Sequence, residues 1–212
     1  TSAVSRVTFR AANGNAASVV LSANGTAAAN YVLKLDSASY ITYKNISITA
    51  TSPTYGRVIE LAGTSAYDSL LNNIISTGAT TAAANTRAAI YAAPLKGDHI
   101  VIMGNTVRNG SSGIYVAGTG INRNNNLSIL SNTLSGSYQY GIYASYGDHT
   151  RIADNAITMT APLNSTAYGI YTTDGDSSCQ VTANVVTVSN ATTTVYGISV
   201  QRCLAALVNI SR

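Results

Sequence analysis

The chain has 212 residues, of which only 9% are charged, with 12 Lys or Arg against 8 Asp or Glu and a net charge of +4. The basic residues stand singly, with no run and no interleaved aromatic rings, so a nucleic-acid partner is not expected. No run of 18 apolar residues occurs, so no membrane span is expected, and a single Phe with no Trp suits a narrow core.

Short β-branched segments open the chain, from Val4 to Phe9 and from Ser18 to Ser22, and read as the first strands of an N-terminal coil over residues 1–30. An apolar marker then recurs at Leu33, Ile59, Ile90, Ile114, Ile142, Ile170 and Ile198. In its last four occurrences it sits in a fixed phrase: Ser112-Gly113-Ile114-Tyr115, Tyr140-Gly141-Ile142-Tyr143, Tyr168-Gly169-Ile170-Tyr171 and Tyr196-Gly197-Ile198-Ser199. The steps are 26, 31, 24, 28, 28 and 28 residues. A period in this range is the mark of a solenoid, whose layers bury one another's apolar faces. No segment shows helical periodicity, and Gly, Asn, Asp and Ser cut the chain into short strands. The pattern predicts an all-β parallel β-helix of about seven or eight coils, on the order of 35 Å long at roughly 4.8 Å per coil. Residues 1–212 form one domain, without a linker. The last coil, begun at Leu204, ends at Arg212 without a polar cap, so a longer polypeptide or another chain is expected to cover that end.

A second anchor follows each phrase. Asn45, Asn73, Asn105, Asn132, Asn155 and Asn184 each precede an alternating strand. Asn tolerates the left-handed backbone of a sharp corner, and stacked amides can bond from coil to coil. These six residues are expected to form an asparagine ladder.

Chemistry-bearing residues are few. The acids are Asp36, Glu60, Asp68, Asp98, Asp148, Asp154, Asp174 and Asp176, with no adjacent pair. Gly97-Asp98-His99 and Gly147-Asp148-His149 stand two coils apart and read as Asx turns. Asp148, Asp174 and Asp176 are expected near one corner, where they form a solvated turn or, as a weaker candidate, a calcium site. Beyond that calcium candidate no metal or cofactor is expected, and no catalytic residue is assigned. Cys179 and Cys203 lie about one coil apart and form either a disulfide or a pair of stacked thiols. Strand alternation turns Tyr91, Tyr115, Tyr143 and Tyr171 outward into a column, which either stabilises the strand surface by stacking or contacts a glycan.

With Gly-Ile-Tyr phrases alternating with Asn-x-Ile corners, the chain resembles the right-handed parallel β-helix repeat family, the superfold of pectate lyases, polygalacturonases and many non-enzymatic surface proteins. Its opening and the segment Tyr40–Thr49 resemble modules of large secreted adhesin-like proteins of gliding bacteria. That resemblance implies a non-catalytic module, extracellular or at the cell surface, with an adhesive or carbohydrate-contacting role. The alternative it carries is a polysaccharide lyase or glycoside hydrolase.

Overall fold

The computed structural model describes residues 5–160, 162–175, 178–189, 194–204 and 207–209. Three long sheets run through it, each built by parallel pairing. The first has eight strands, from Val7–Arg10 to Leu207–Asn209; the second has seven, from Val20–Ala23 to Val185–Ser189; the third has seven, from Leu33–Asp36 to Thr194–Gln201. The chain visits them in rotation, so that Ile41–Lys44, Ser47–Ala50 and Ile59–Ala62 belong to successive sheets of one turn. Two single-turn 3-10 segments, Ala16–Ser18 and Asn85–Arg87, are the only helical elements among the described residues. The molecule is a parallel β-solenoid.

From the first to the last strand of either seven-stranded sheet the chain makes about six turns, slightly short of the seven or eight coils expected. The described part of the first 30 residues opens the first turn. It supplies Val7–Arg10 and Val20–Ala23, and Leu33–Asp36 completes the same turn. At the other end Leu207–Asn209 adds a strand to Gln180–Thr182. Residues 210–212, where an uncapped edge was expected, lie outside the described residues.

The marker residues stack directly over one another: Leu33 on Ile59, Ile59 on Ile90, then Ile114, Ile142, Ile170 and Ile198. A second column, Leu70, Ile102, Ile129, Ile152 and Val181, faces them from the first sheet. Most of these side chains are wholly buried. Each is worth roughly 1.5–3 kcal/mol in removed apolar surface, which is how a core this narrow holds. The phrase glycines explain its narrowness. A methyl group on Gly141 would come within 2.5 Å of the Gly169 carbonyl oxygen and 2.6 Å of Ile157 on the second sheet. Backbone from the third sheet therefore lies against side chains of the second, where only glycine fits.

Buried amides form one corner. Asn73 Nδ2 donates to Asn105 Oδ1 at 3.1 Å, Asn105 to Asn132 at 3.0 Å, Asn132 to Asn155 at 3.0 Å and Asn155 to Asn184 at 2.9 Å. Each oxygen also accepts the backbone N–H of the preceding asparagine, and each Nδ2 reaches a carbonyl one coil back, as Asn105 does with Leu70. Asn45 is not in this column. It occupies the preceding position, with φ 53°, level with Asn72, Gly104 and Ser131, and Ile46 stands in the ladder slot with its N–H bonded to Asn73 Oδ1. The left-handed corner and the amide ladder are thus adjacent positions rather than one.

Candidate functional site

The third sheet carries the most concentrated side-chain chemistry. Tyr91, Tyr115, Tyr143 and Tyr171 lie in register on successive strands. Their ring centroids are 5.7, 4.3 and 5.5 Å apart, with the first two pairs stacked and the last tilted by 55°. A second column runs beside them. Tyr140, Tyr168 and Tyr196 stack at 5.5 and 4.8 Å, and Tyr140 meets the edge of Tyr143 at 5.1 Å. Seven tyrosines therefore pave one face.

The second column exists because strict alternation breaks within the phrase. Gly141 and Ile142 are both buried, so Tyr140 and Tyr143 both face outward. The four rings expected to stand exposed are consequently half-buried against their neighbours. Ring faces are largely consumed by other rings, and the surface offers ring edges and phenol hydroxyls. Burial pushes the phenols of Tyr115 and Tyr140 up to about 12, with the neighbouring tyrosines adding to the shift. Both hydroxyls hold their proton throughout the neutral range and remain donors.

The columns are tied down at each end. Arg57 lies 3.6 Å over the Tyr91 ring and gives Nη1 to Glu60 Oε2 at 2.6 Å, while Lys34 approaches the other Glu60 oxygen at 3.5 Å. At the far end the Tyr171 hydroxyl donates to Gln201 Oε1 at 3.0 Å.

Of the expected carboxylate cluster, Asp148 and Asp174 are described, and they take different levels of the corner. Asp148 pairs with Asn125, which stands over Asp98, at the corner leading into the first sheet. Asp174 instead follows the third sheet, stacked on Tyr146, because Ser145 and Thr173 are in register and Tyr146 donates its N–H to the Thr173 carbonyl. It is held by Arg202, whose Nε and Nη2 reach the two carboxylate oxygens at 2.7 and 2.9 Å. That hydrogen-bonded guanidinium lowers the Asp174 pKa. Asp176 lies outside the described residues. No group of three metal-ligating side chains comes together among the described residues.

The two histidines sit at left-handed corners, φ 52° for His99 and 53° for His149, each beside its own aspartate at 2.7 and 3.4 Å. Cys179 is buried, Cys203 is half-buried and both are free thiols. The two thiols hydrogen-bond to one another, which, with the Gly175 backbone, pulls Cys203 down to about 6 and pushes Cys179 up.

Two groups escaped the sequence reading. One is the second tyrosine column, whose signal was the Tyr preceding three of the four Gly-Ile pairs. The other is Arg6, Arg10 and Lys44, scattered along the chain but gathered on the first sheet by the pairing of Arg10 with Lys44. Among the described residues no helix is long and apolar enough to cross a membrane. No protein-family model matches the chain, and neither a curated protein nor a solved structure is significantly similar to it.

Proposed function

We propose that the chain is a non-catalytic module of a secreted or cell-surface protein, akin to the β-helix modules of large bacterial adhesin-like proteins, and that its third sheet contacts glycan. The observation that carries this reading is the seven-tyrosine face, a double row of stacked phenol rings repeating at the coil spacing. Rigid rings fixed by stacking lose little entropy on binding, and hydroxyl donors suit the hydroxyl-rich edge of a polysaccharide. The non-catalytic part draws support from how the acids are used. Glu60 bridges Arg57 and Lys34, Asp174 holds Arg202, and Asp68 is buried with its Oδ1 on the Ile41 N–H. Each of these three is committed to a partner within the fold rather than left free for general acid–base work.

Affinity electrophoresis through gels containing neutral polysaccharides tests the reading. The parent should be retarded, and Tyr143→Phe/Tyr171→Phe, which keeps the rings and removes two hydroxyls, should run nearly free. Equal retardation of the two proteins defeats the hydroxyl contact. Release of reducing ends or of unsaturated sugar from any of these polymers overturns the non-catalytic assignment.

A further inference from the structure

A second face is built differently. The outward positions of the first sheet form a column containing Thr42, Ser69, Val101, Ser128, Arg151 and Gln180. At its N-terminal end a groove of about 490 Å³ is lined by Arg6, Arg10 and Lys44 together with Thr8, Thr42, Ser69 and Leu71. None of the three cations forms an ion pair among the described residues, whereas Lys34, Arg57 and Arg202 all do.

Arg6 is held in place from one side. Its Nη1 donates to the Tyr67 carbonyl at 3.0 Å, Thr42 Oγ1 at 3.2 Å and Ser69 Oγ at 3.5 Å. Among the described residues the rest of the fork makes no hydrogen bond, and the guanidinium lies 5.8 Å from the centroid of the Tyr40 ring. A planar guanidinium fixed by one nitrogen, with its other N–H groups free, is pre-organised for a carboxylate or sulfate. Lys44 and Arg10, on paired strands, supply two further charges beside it. Asp68 is buried and interacts electrostatically with Arg6 without forming an ion pair.

The same column reaches a second groove of about 280 Å³, lined by His99, Asn126, His149, Arg151 and Gln180 among others. Ser69 and Arg151 are three coil steps apart, roughly 14 Å. The first groove gathers three cations, and the second adds Arg151 beside the His99–Asp98 and His149–Asp148 pairs. Cations in line along a flat sheet suit a linear chain carrying repeated negative charges better than a single ion. The outward column that joins the grooves holds no aromatic residue, and the rings beside it, Tyr40, Tyr67 and His99, are stacked on one another at 4.8 and 4.7 Å, with Arg6 over Tyr40. Hydroxyls and amides fill the space between the charges, and these suit sugar.

We propose that the outer face of the first sheet binds an acidic polysaccharide, with Arg6, Arg10 and Lys44 seating one carboxylate or sulfate group and Arg151 a later one. This site lies on a different sheet from the tyrosines and does not depend on them.

Calorimetric titration at low salt with dextran sulfate and with polygalacturonate, against neutral dextran, tests it. The parent should bind at least one of the polyanions and not the neutral polymer. Arg6→Gln/Lys44→Gln should weaken binding about tenfold or more, while Lys96→Gln/Arg108→Gln, which removes the same charge from exposed sites on other faces, should change it less than about twofold. Lys44→Gln alone, at a side chain that makes no hydrogen bond, should still cost several-fold, so a misfolded Arg6 variant cannot imitate the result. Equal losses in the two double variants, no loss in Lys44→Gln, or no affinity for either polyanion overturns the proposal. So does tighter binding of duplex DNA that the same substitutions abolish, which would make the face a nucleic-acid surface.

Discussion

Asn105 makes two hydrogen bonds to a single atom of Asn132: the backbone N–H reaches Oδ1 at 2.9 Å and Nδ2 reaches it at 3.0 Å. The oxygen has no water to fall back on, since both residues are about 1% exposed. Asn132→Ala therefore strands two donors on Asn105 and also frees the Ile102 carbonyl, to which Asn132 Nδ2 donates at 2.9 Å. Orphaned buried groups cost about 1–3 kcal/mol each, so a loss on the order of 3–5 kcal/mol is expected. Urea unfolding of Asn132→Ala beside Asn184→Ala checks it. Asn184 is the last described member of the ladder and only half-buried, so its loss should be clearly smaller.

Gly141→Ala should destabilise for a steric reason alone. The added methyl would collide with the Gly169 carbonyl and Ile157, and the obstruction on one side is backbone, which cannot rotate away. Overpacking of this kind typically costs 1–3 kcal/mol. At Gly197 the same methyl meets nothing within 4 Å, so Gly197→Ala should leave the thermal midpoint within about a degree. A similar drop in both variants would show that glycine's role in the phrase is something other than close approach.

The solenoid was legible because each layer repeats one demand. The Ile that fills the bore at position 142 is required again at 170 and 198, so the period is printed in the chain. What the period could not show is a shift of one residue. Asn45 and Asn73 stand 28 apart, the regular step, yet a difference in the corner puts Asn45 level with Asn72 and leaves Ile46 in the ladder. Asp148 and Asp174 show the same limit: both follow a third-sheet strand, but Asp174 comes directly after Thr173 whereas Asp148 stands three residues past Ser145. The tyrosine columns were half legible. Alternation placed Tyr143 outward, but it could not foresee that Gly141 and Ile142 would both turn in and leave Tyr140 outside as well. The Arg6 groove was invisible, since its three cations are up to 38 residues apart and only strand pairing unites them.

The thiols should react unequally. Cys203 is half-buried and pulled to about 6 by the hydrogen bonds it accepts from Cys179 and the Gly175 backbone, while Cys179 is buried and pushed up. The thiolate is the nucleophile, so iodoacetamide at pH 7 should alkylate Cys203 at least about tenfold faster than Cys179. Peptide mapping of partially labelled protein reads the ratio. In Cys179→Ser, whose hydroxyl is a different donor, the pH midpoint of Cys203 labelling should move; an unmoved midpoint would mean the pair does not act as one unit.

Asp68 should make the fold less stable as pH rises, the reverse of an ion-paired carboxylate. Only about 1% exposed, it has one oxygen on the Ile41 N–H at 2.8 Å and no partner for Oδ2, and burial pushes its pKa up to about 6. Between the unfolded value near 3.8 and that value, the native state holds the proton that the unfolded chain has released. Stability then falls with pH across this window and stays at its lower level above it. Asp68→Asn cannot ionise, so its stability relative to the parent should rise by on the order of 2 kcal/mol between pH 4 and 7, whatever fixed offset the new amide introduces. Arg6 works against burial by favouring the charged carboxylate, so in an Arg6→Gln background the window should shift to higher pH. Denaturant unfolding of the four proteins at several pH values supplies the curves. A difference between parent and Asp68→Asn that stays flat across the window would mean that Asp68 is solvated in the folded protein and carries no burial penalty.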